Sequence, residues 1–227
     1  HTICHSHLHI NSSPISSVSF QLKHTMVVFK ADSLSQKICY IATVFGVIGL
    51  VLTCVGVGTP RWQSDYATQP DGSYVKTGSI NFFYACPAYS NGTIIGCANR
   101  DANLYGYSTY SSASPWMKDY NQRMQNAGAL CIVGICFLFF GTLITLIMAV
   151  IYLQTWHNLI APICLFLACL FMLAGMAEGS RYLFYNDYSA NLYQAGHVVT
   201  IFTLLLSAFA AGRINFSRWT EAGKMPS

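Results

Sequence analysis

Residues 129–153 read ALCIVGICFLFFGTLITLIMAVIYL, and none of them carries a charge. Crossing the ~30 Å hydrocarbon core of a bilayer takes about 20 apolar residues in a helix. A helix is required because a chain in lipid must satisfy its own backbone hydrogen bonds. This stretch is long enough alone, and three others match it. They are ICYIATVFGVIGLVLTCVGVGT at 38–59, stopped by Pro60, a run at about 158–177, and LYQAGHVVTIFTLLLSAFAAG at 192–212. The sequence therefore predicts an all-α membrane protein built as a four-transmembrane-helix bundle.

Composition agrees. Of 227 residues, 53% are hydrophobic and only 9% charged, with a mean hydropathy of +0.41. A soluble domain of this size carries about 25% charged residues. The net charge of +4 is scattered, with no Lys/Arg cluster or aromatic-basic stripe, so no nucleic-acid partner is expected. No nucleophile–base pair, metal cluster or phosphate loop points to an enzyme, a metal or a cofactor.

The ends flank this core. Residues 1–36 precede the first span and 214–227 follow the last, leaving a four-span domain at 37–213. HTICHSHLHINSSPISSVSFQLKHT, residues 1–25, has no periodic pattern. We read it as a translated leader or a disordered extension, with fold reasoning starting near Met26. His1, His5, His7 and His9 fall within it.

Four spans put both termini on one side and the loops at 60–128 and 178–191 on the other. Lys30, Lys37, Arg213, Arg218 and Lys224 favour cytoplasmic termini only weakly. The long loop decides, because it carries Cys86, Cys97 and the sequon Asn91-Gly92-Thr93. Paired cysteines and glycan acceptors belong to the oxidising side. The expected placement is a multi-pass plasma-membrane protein with cytoplasmic termini and outer loops. Asn11-Ser-Ser and Asn215-Phe-Ser match the same pattern by chance, since this topology places both in the cytosol.

The bundle offers little chemistry. No span has Lys, Arg, Asp or Glu at its middle, so no ion or proton route is marked. Gly46, Gly49, Gly56 and Gly58 in the first span, and Gly134 and Gly141 in the second, permit close helix approach. His197 is expected to hydrogen-bond structurally. Cys39, Cys54, Cys131, Cys136, Cys164 and Cys169 lie in apolar runs, where cysteine behaves as a small hydrophobe.

The long loop reads as β-structure. Pro70-Asp71-Gly72 is a turn signal between WQSDYAT and SYVKTGSINFFYAC, two runs rich in strand formers, which predicts a hairpin. Asn91-Gly92 between ACPAY and TIIGC predicts a second, with Cys86 and Cys97 facing across it. A disulfide there would contribute roughly 2–3 kcal/mol to a sheet with almost no core of its own.

Four spans, a large first outer loop, a small second loop and a short inner turn resemble the claudin and peripheral myelin protein superfamily. In claudins the first loop carries a tryptophan, then Gly-Leu-Trp, two residues, a cysteine, and a second cysteine about ten positions later. Trp62 matches the first tryptophan, and Cys86 and Cys97 match the pair. Asn81-Phe82-Phe83 replaces Gly-Leu-Trp, with Phe83 at the second tryptophan's place. Arg123 stands where claudins often carry a basic residue. The match is to a divergent member, nearer the nematode Clc-like group than a vertebrate claudin. Tetraspanins differ in having their large loop second, with a Cys-Cys-Gly motif absent here.

The resemblance implies a protein of cell–cell contact or paracellular barrier, whose partners are the bilayer and the same or related proteins in cis and trans. In it, Trp62 and Phe83 pack the sheet onto the bundle; Trp62 also reads as an anchor at the membrane surface, and the two roles are compatible. Asp65, Lys76 and Asp101 would line an ion path or remain solvated. Glu178 and Arg181 are spaced to pair. The alternative within the superfamily is an auxiliary subunit of an ion channel or receptor.

Overall fold

The computed structural model describes residues 33–89, 91–99, 115–151 and 157–222. The N-terminal histidines, the Asn11 sequon and Asp101 lie outside the described residues. The chain folds as α1 (Ser33–Gly58), β1 (Gln63–Thr68), β2 (Tyr74–Ile80), β3 (Tyr84–Pro87), β4 (Ala98–Asn99), α2 (Pro115–Val150), a 3-10 turn at His157–Leu159, α3 (Ile160–Gly179) and α4 (Tyr188–Ala222). All four helices are long and apolar enough to cross a membrane.

The helices overrun the apolar runs that predicted them. α2 begins at Pro115 rather than Ala129, and α4 spans 188–222 rather than 192–212. Proline fits the first position of a helix, where its missing N–H costs nothing. The polar residues that follow keep the helical hydrogen bonds without needing lipid. At 36 residues, α2 is ~54 Å long, well beyond the ~30 Å of hydrocarbon. Its excess projects at the sheet end of the bundle.

Glycines set how the helices meet. Gly49, Gly56 and Gly196 bring α1 against α4, Gly134, Gly141 and Gly175 bring α2 against α3, and Gly46 meets Thr142 of α2. A β-carbon at Gly56 would stand 2.8 Å from the Tyr193 backbone nitrogen, and one at Gly134 3.0 Å from that of Met172. Gly134 and Gly141 do share one face. Gly58 differs from expectation: nothing lies within 4 Å of its would-be side chain, because it is the last residue of α1.

Three buried clusters follow the bundle axis. Cys39, Met148, Ala161 and Ala210 pack at the end away from the sheet, and Leu138, Leu165 and Ala168 pack at mid-height. The largest cluster, around Trp62, Phe82, Met124 and Tyr193, joins bundle to sheet. His197 Nε2 lies 3.2 Å from the Cys169 carbonyl oxygen, linking α4 to α3. Asn215, which heads the Asn-Phe-Ser match, accepts a hydrogen bond from Asn158 within the helical part of the chain.

The sheet is antiparallel, in the order β1-β2-β3-β4, with only two residues in β4. It occupies the loop between α1 and α2, as the sequence predicted. One expectation needs correction. The run SYVKTGSINFFYAC, expected to form the second arm of one hairpin, instead reverses at Asn81–Phe83, and β3 folds back along β2, with Ser79 opposite Cys86.

Candidate functional site: a stapled sheet locked to the bundle

The sheet is built from three side-chain-supported turns. Between β1 and β2, Gly72 takes φ +83°, and Asp71 Oδ1 accepts hydrogen bonds from the Ser73 amide (2.9 Å) and hydroxyl (2.7 Å). Positive φ is open to glycine at no steric cost. Between β2 and β3, Asn81 Oδ1 accepts from the amides of Phe83 (2.7 Å) and Tyr84 (2.6 Å). The third turn carries Asn91, whose Oδ1 accepts from the Thr93 amide at 3.0 Å, beside Gly92 at φ +82°. Asn91 is exposed. The Cys86–Cys97 disulfide closes this segment, with Cys86 buried beneath it.

Trp62 anchors the sheet. Its side chain is fully buried and packs into the core that joins sheet to bundle. The indole Nε1 donates to the Gly56 carbonyl at 2.6 Å, satisfying an oxygen freed where α1 ends. Its ring meets Phe82 at 4.3 Å between centroids, Tyr185 at 5.2 Å and Tyr193 at 5.3 Å. Phe82 is therefore its nearest aromatic partner. Phe83 is half-buried and lies over Gly128 of α2. Asn81 Nδ2 donates to the Thr59 carbonyl at 3.1 Å, so one amide both turns the sheet and caps α1.

The short loop between α3 and α4 clamps the sheet's free edge. Asn186 Oδ1 accepts from the Ser64 amide (2.9 Å) and its Nδ2 donates to the Ser64 carbonyl (3.0 Å). This copies the pairing of a neighbouring strand on β1, an edge that would otherwise invite association. Gln63 Oε1 accepts from the Phe184 amide at 2.9 Å. Asp187 accepts from the Ser64 hydroxyl, the Tyr188 amide and Lys76 Nζ, the last at 3.2 Å. Burial opposes ionisation of Asp187, but the Ser64, Tyr188 and Lys76 donors outweigh it and hold the carboxyl below its ordinary range.

Lys76 is paired within the protein, its side chain remaining 21% exposed. Asp65 stays exposed, accepting from Gln63 Nε2. Arg123 bridges two helices: its Nε donates to Asp119 at 2.9 Å and its Nη1 to Glu178 at 3.0 Å. The Arg123 guanidinium holds the Asp119 carboxyl low, helped by the Tyr182 hydroxyl. Arg181 and Glu178 do approach, at 3.8 Å, a looser contact than Arg123 makes.

The predicted residues therefore form two groups. Trp62, Phe83, Cys86 and Cys97 belong to the sheet and its attachment, and Arg123 ties α2 to α3 beside it. Sequence reasoning missed Asn81, Phe82, Asn186 and Asp187. Asn186-Asp187 directly before α4 is a helix-start signal that would have found the last two. Among the described residues, Tyr66, Tyr74 and Phe184 stand out from this locked unit, the latter two each 76% exposed. No protein-family model matches the chain, and neither does any curated protein.

Proposed function

We propose that this chain is a claudin-like plasma-membrane protein that mediates cell–cell contact or a paracellular barrier through the disulfide-stapled sheet. In this reading both termini are cytoplasmic, the sheet lies outside, and the partners are the same or related proteins in cis and trans. The observation that carries it is the lock between the two loops. Asn186 and Asp187 fasten the short loop to β1 and Lys76, so Tyr66, Tyr74 and Phe184 are presented on one pre-ordered body. Large exposed aromatics on a rigid support are what contact surfaces use, since little entropy is lost on binding. The disulfide supports the outward placement, because such bonds persist in oxidising compartments. Asn91, exposed at a turn tip, is the glycan acceptor of this reading.

Cells expressing the chain, tagged at the cytoplasmic end, are co-cultured with non-expressing cells. Enrichment at expresser–expresser borders over expresser–bystander borders is expected, with loss in the Cys86→Ser variant. A uniform surface signal would overturn homophilic contact and favour the auxiliary-subunit reading.

A further inference from the structure

The glycan acceptor and the disulfide share one short segment. Cys86 and Cys97 are 11 positions apart, and Asn91-Gly92-Thr93 lies in the middle of the ring they close. In the folded chain that segment is held from several sides. The Tyr89 amide donates to the Thr93 carbonyl and the Gly92 amide to the Tyr89 carbonyl, both at 2.8 Å. The Ile95 amide donates to the Pro87 carbonyl at 3.0 Å, and Ala88 bridges to Ile94. Gly92 is laid on β2, where a β-carbon would stand 3.4 Å from Val75 Cγ1.

The finished turn has room for a glycan. Asn91 is exposed, and while its Oδ1 accepts from the Thr93 amide, its Nδ2 has no hydrogen-bond partner among the described residues. Attaching the glycan to that turn is a different matter. Nδ2 must attack the anomeric carbon of a lipid-pyrophosphate-linked oligosaccharide. The new C–N bond replaces the C–O bond to pyrophosphate, and Nδ2 gives up a proton. An enzyme doing this must draw the acceptor and its neighbours into a cleft, and a hydrogen-bonded turn yields them only by opening locally. Before the disulfide forms, opening is easy, because a lone hairpin is marginal in water. Afterwards the ring holds both flanks of the acceptor together and removes most of the open forms.

We propose that closure of Cys86–Cys97 ends the modification of Asn91, so that glycan transfer and disulfide formation compete in each new chain. This inference rests on the outward placement of the sheet and is independent of the contact role. The two events overlap in time. Cys97 follows Asn91 by six residues, about a second of synthesis, and disulfide formation takes seconds or longer. Chains modified first still fold, because the turn leaves Nδ2 free. Chains stapled first stay bare. The mature protein is therefore a mixture of two forms that differ at the third turn of the sheet.

The test pulse-labels the full chain in cultured cells and reads the glycan as a mobility shift that an N-glycosidase reverses. Asn91 heads the only Asn-X-Ser/Thr pattern in either outer loop, so Thr93→Ala should abolish the shift. The wild type should show both forms. Cys86→Ser and Cys97→Ser should each raise the modified fraction by about twofold or more, since no staple then ends the reaction. Wild type made under a permeant reductant should rise equally, which keeps the test open if a variant misfolds. Cys136→Ser, a thiol outside the ring, should leave the fraction unaltered. Equal fractions in wild type, ring variants and reduced chain, or a wild type already fully modified, would overturn the competition and leave the outward placement standing. No glycan on any of them would overturn both.

Discussion

Lys76 of β2 and Asp187, 111 residues further along the chain, meet with Nζ 3.2 Å from Oδ2, and the two loops are joined there. The Asp187 carboxyl ionises below its ordinary range. Its contribution is therefore fully present above the unfolded-state value of about 3.9 and is lost as pH falls through the lower folded value. Amide protection factors at Phe184, Asp187 and Ser189 should be flat from pH 8 to 5 and fall only below about pH 4. Asp187→Asn should reduce protection at neutral pH and blunt that acid response.

Removing the Trp62 ring should be the most damaging single change in the sheet. Trp62→Ala is expected to cost about 3–5 kcal/mol, the usual range for truncating a buried aromatic. Trp62→Phe keeps much of the packing but leaves the Gly56 carbonyl without its donor, for about 1–3 kcal/mol. Equilibrium unfolding in mixed detergent micelles would rank the two, and equal costs would contradict a role for the indole N–H.

Gly56 and Gly58 should respond oppositely to the same substitution. Gly56→Ala drives a methyl into Tyr193 and is expected to cost about 1–3 kcal/mol through overpacking. Gly58→Ala meets no atom within 4 Å and should be nearly neutral. The same unfolding measurement distinguishes them.

Cys86 and Cys97 should resist maleimide until a reductant is added, whereupon two further thiols become reactive. Cys86→Ser should release Cys97, which is exposed, to label without reduction. It should also destabilise the sheet by roughly 2–3 kcal/mol. Labelling of Cys97 in the untreated wild type would contradict the bond.

The bundle was legible because long uncharged runs admit one regular structure in lipid, and Pro70-Asp71-Gly72 marked its hairpin through backbone geometry. The turn at Asn81 was hidden because strand-forming Ile80, Phe82, Phe83 and Tyr84 surround it. What bends the chain is the Asn81 side chain bonding two amides, which composition does not report. The projecting part of α2 was missed because hydropathy registers hydrocarbon, not helix. The clamp of Asn186 on Ser64 joins positions 122 residues apart, and only the folded topology brings them together.

Trp62 bonds to Gly56 in the last turn of α1, and Asn81 to Thr59 just after it. The sheet consequently has no stalk, and its orientation is tied to that helix as well as to the loop between α3 and α4. Helices tilt to match the thickness of the bilayer around them. A thinner or thicker membrane that re-angles α1 would lean the sheet with it, so the attitude of Tyr66 and Tyr74 would depend on the lipids around the helices.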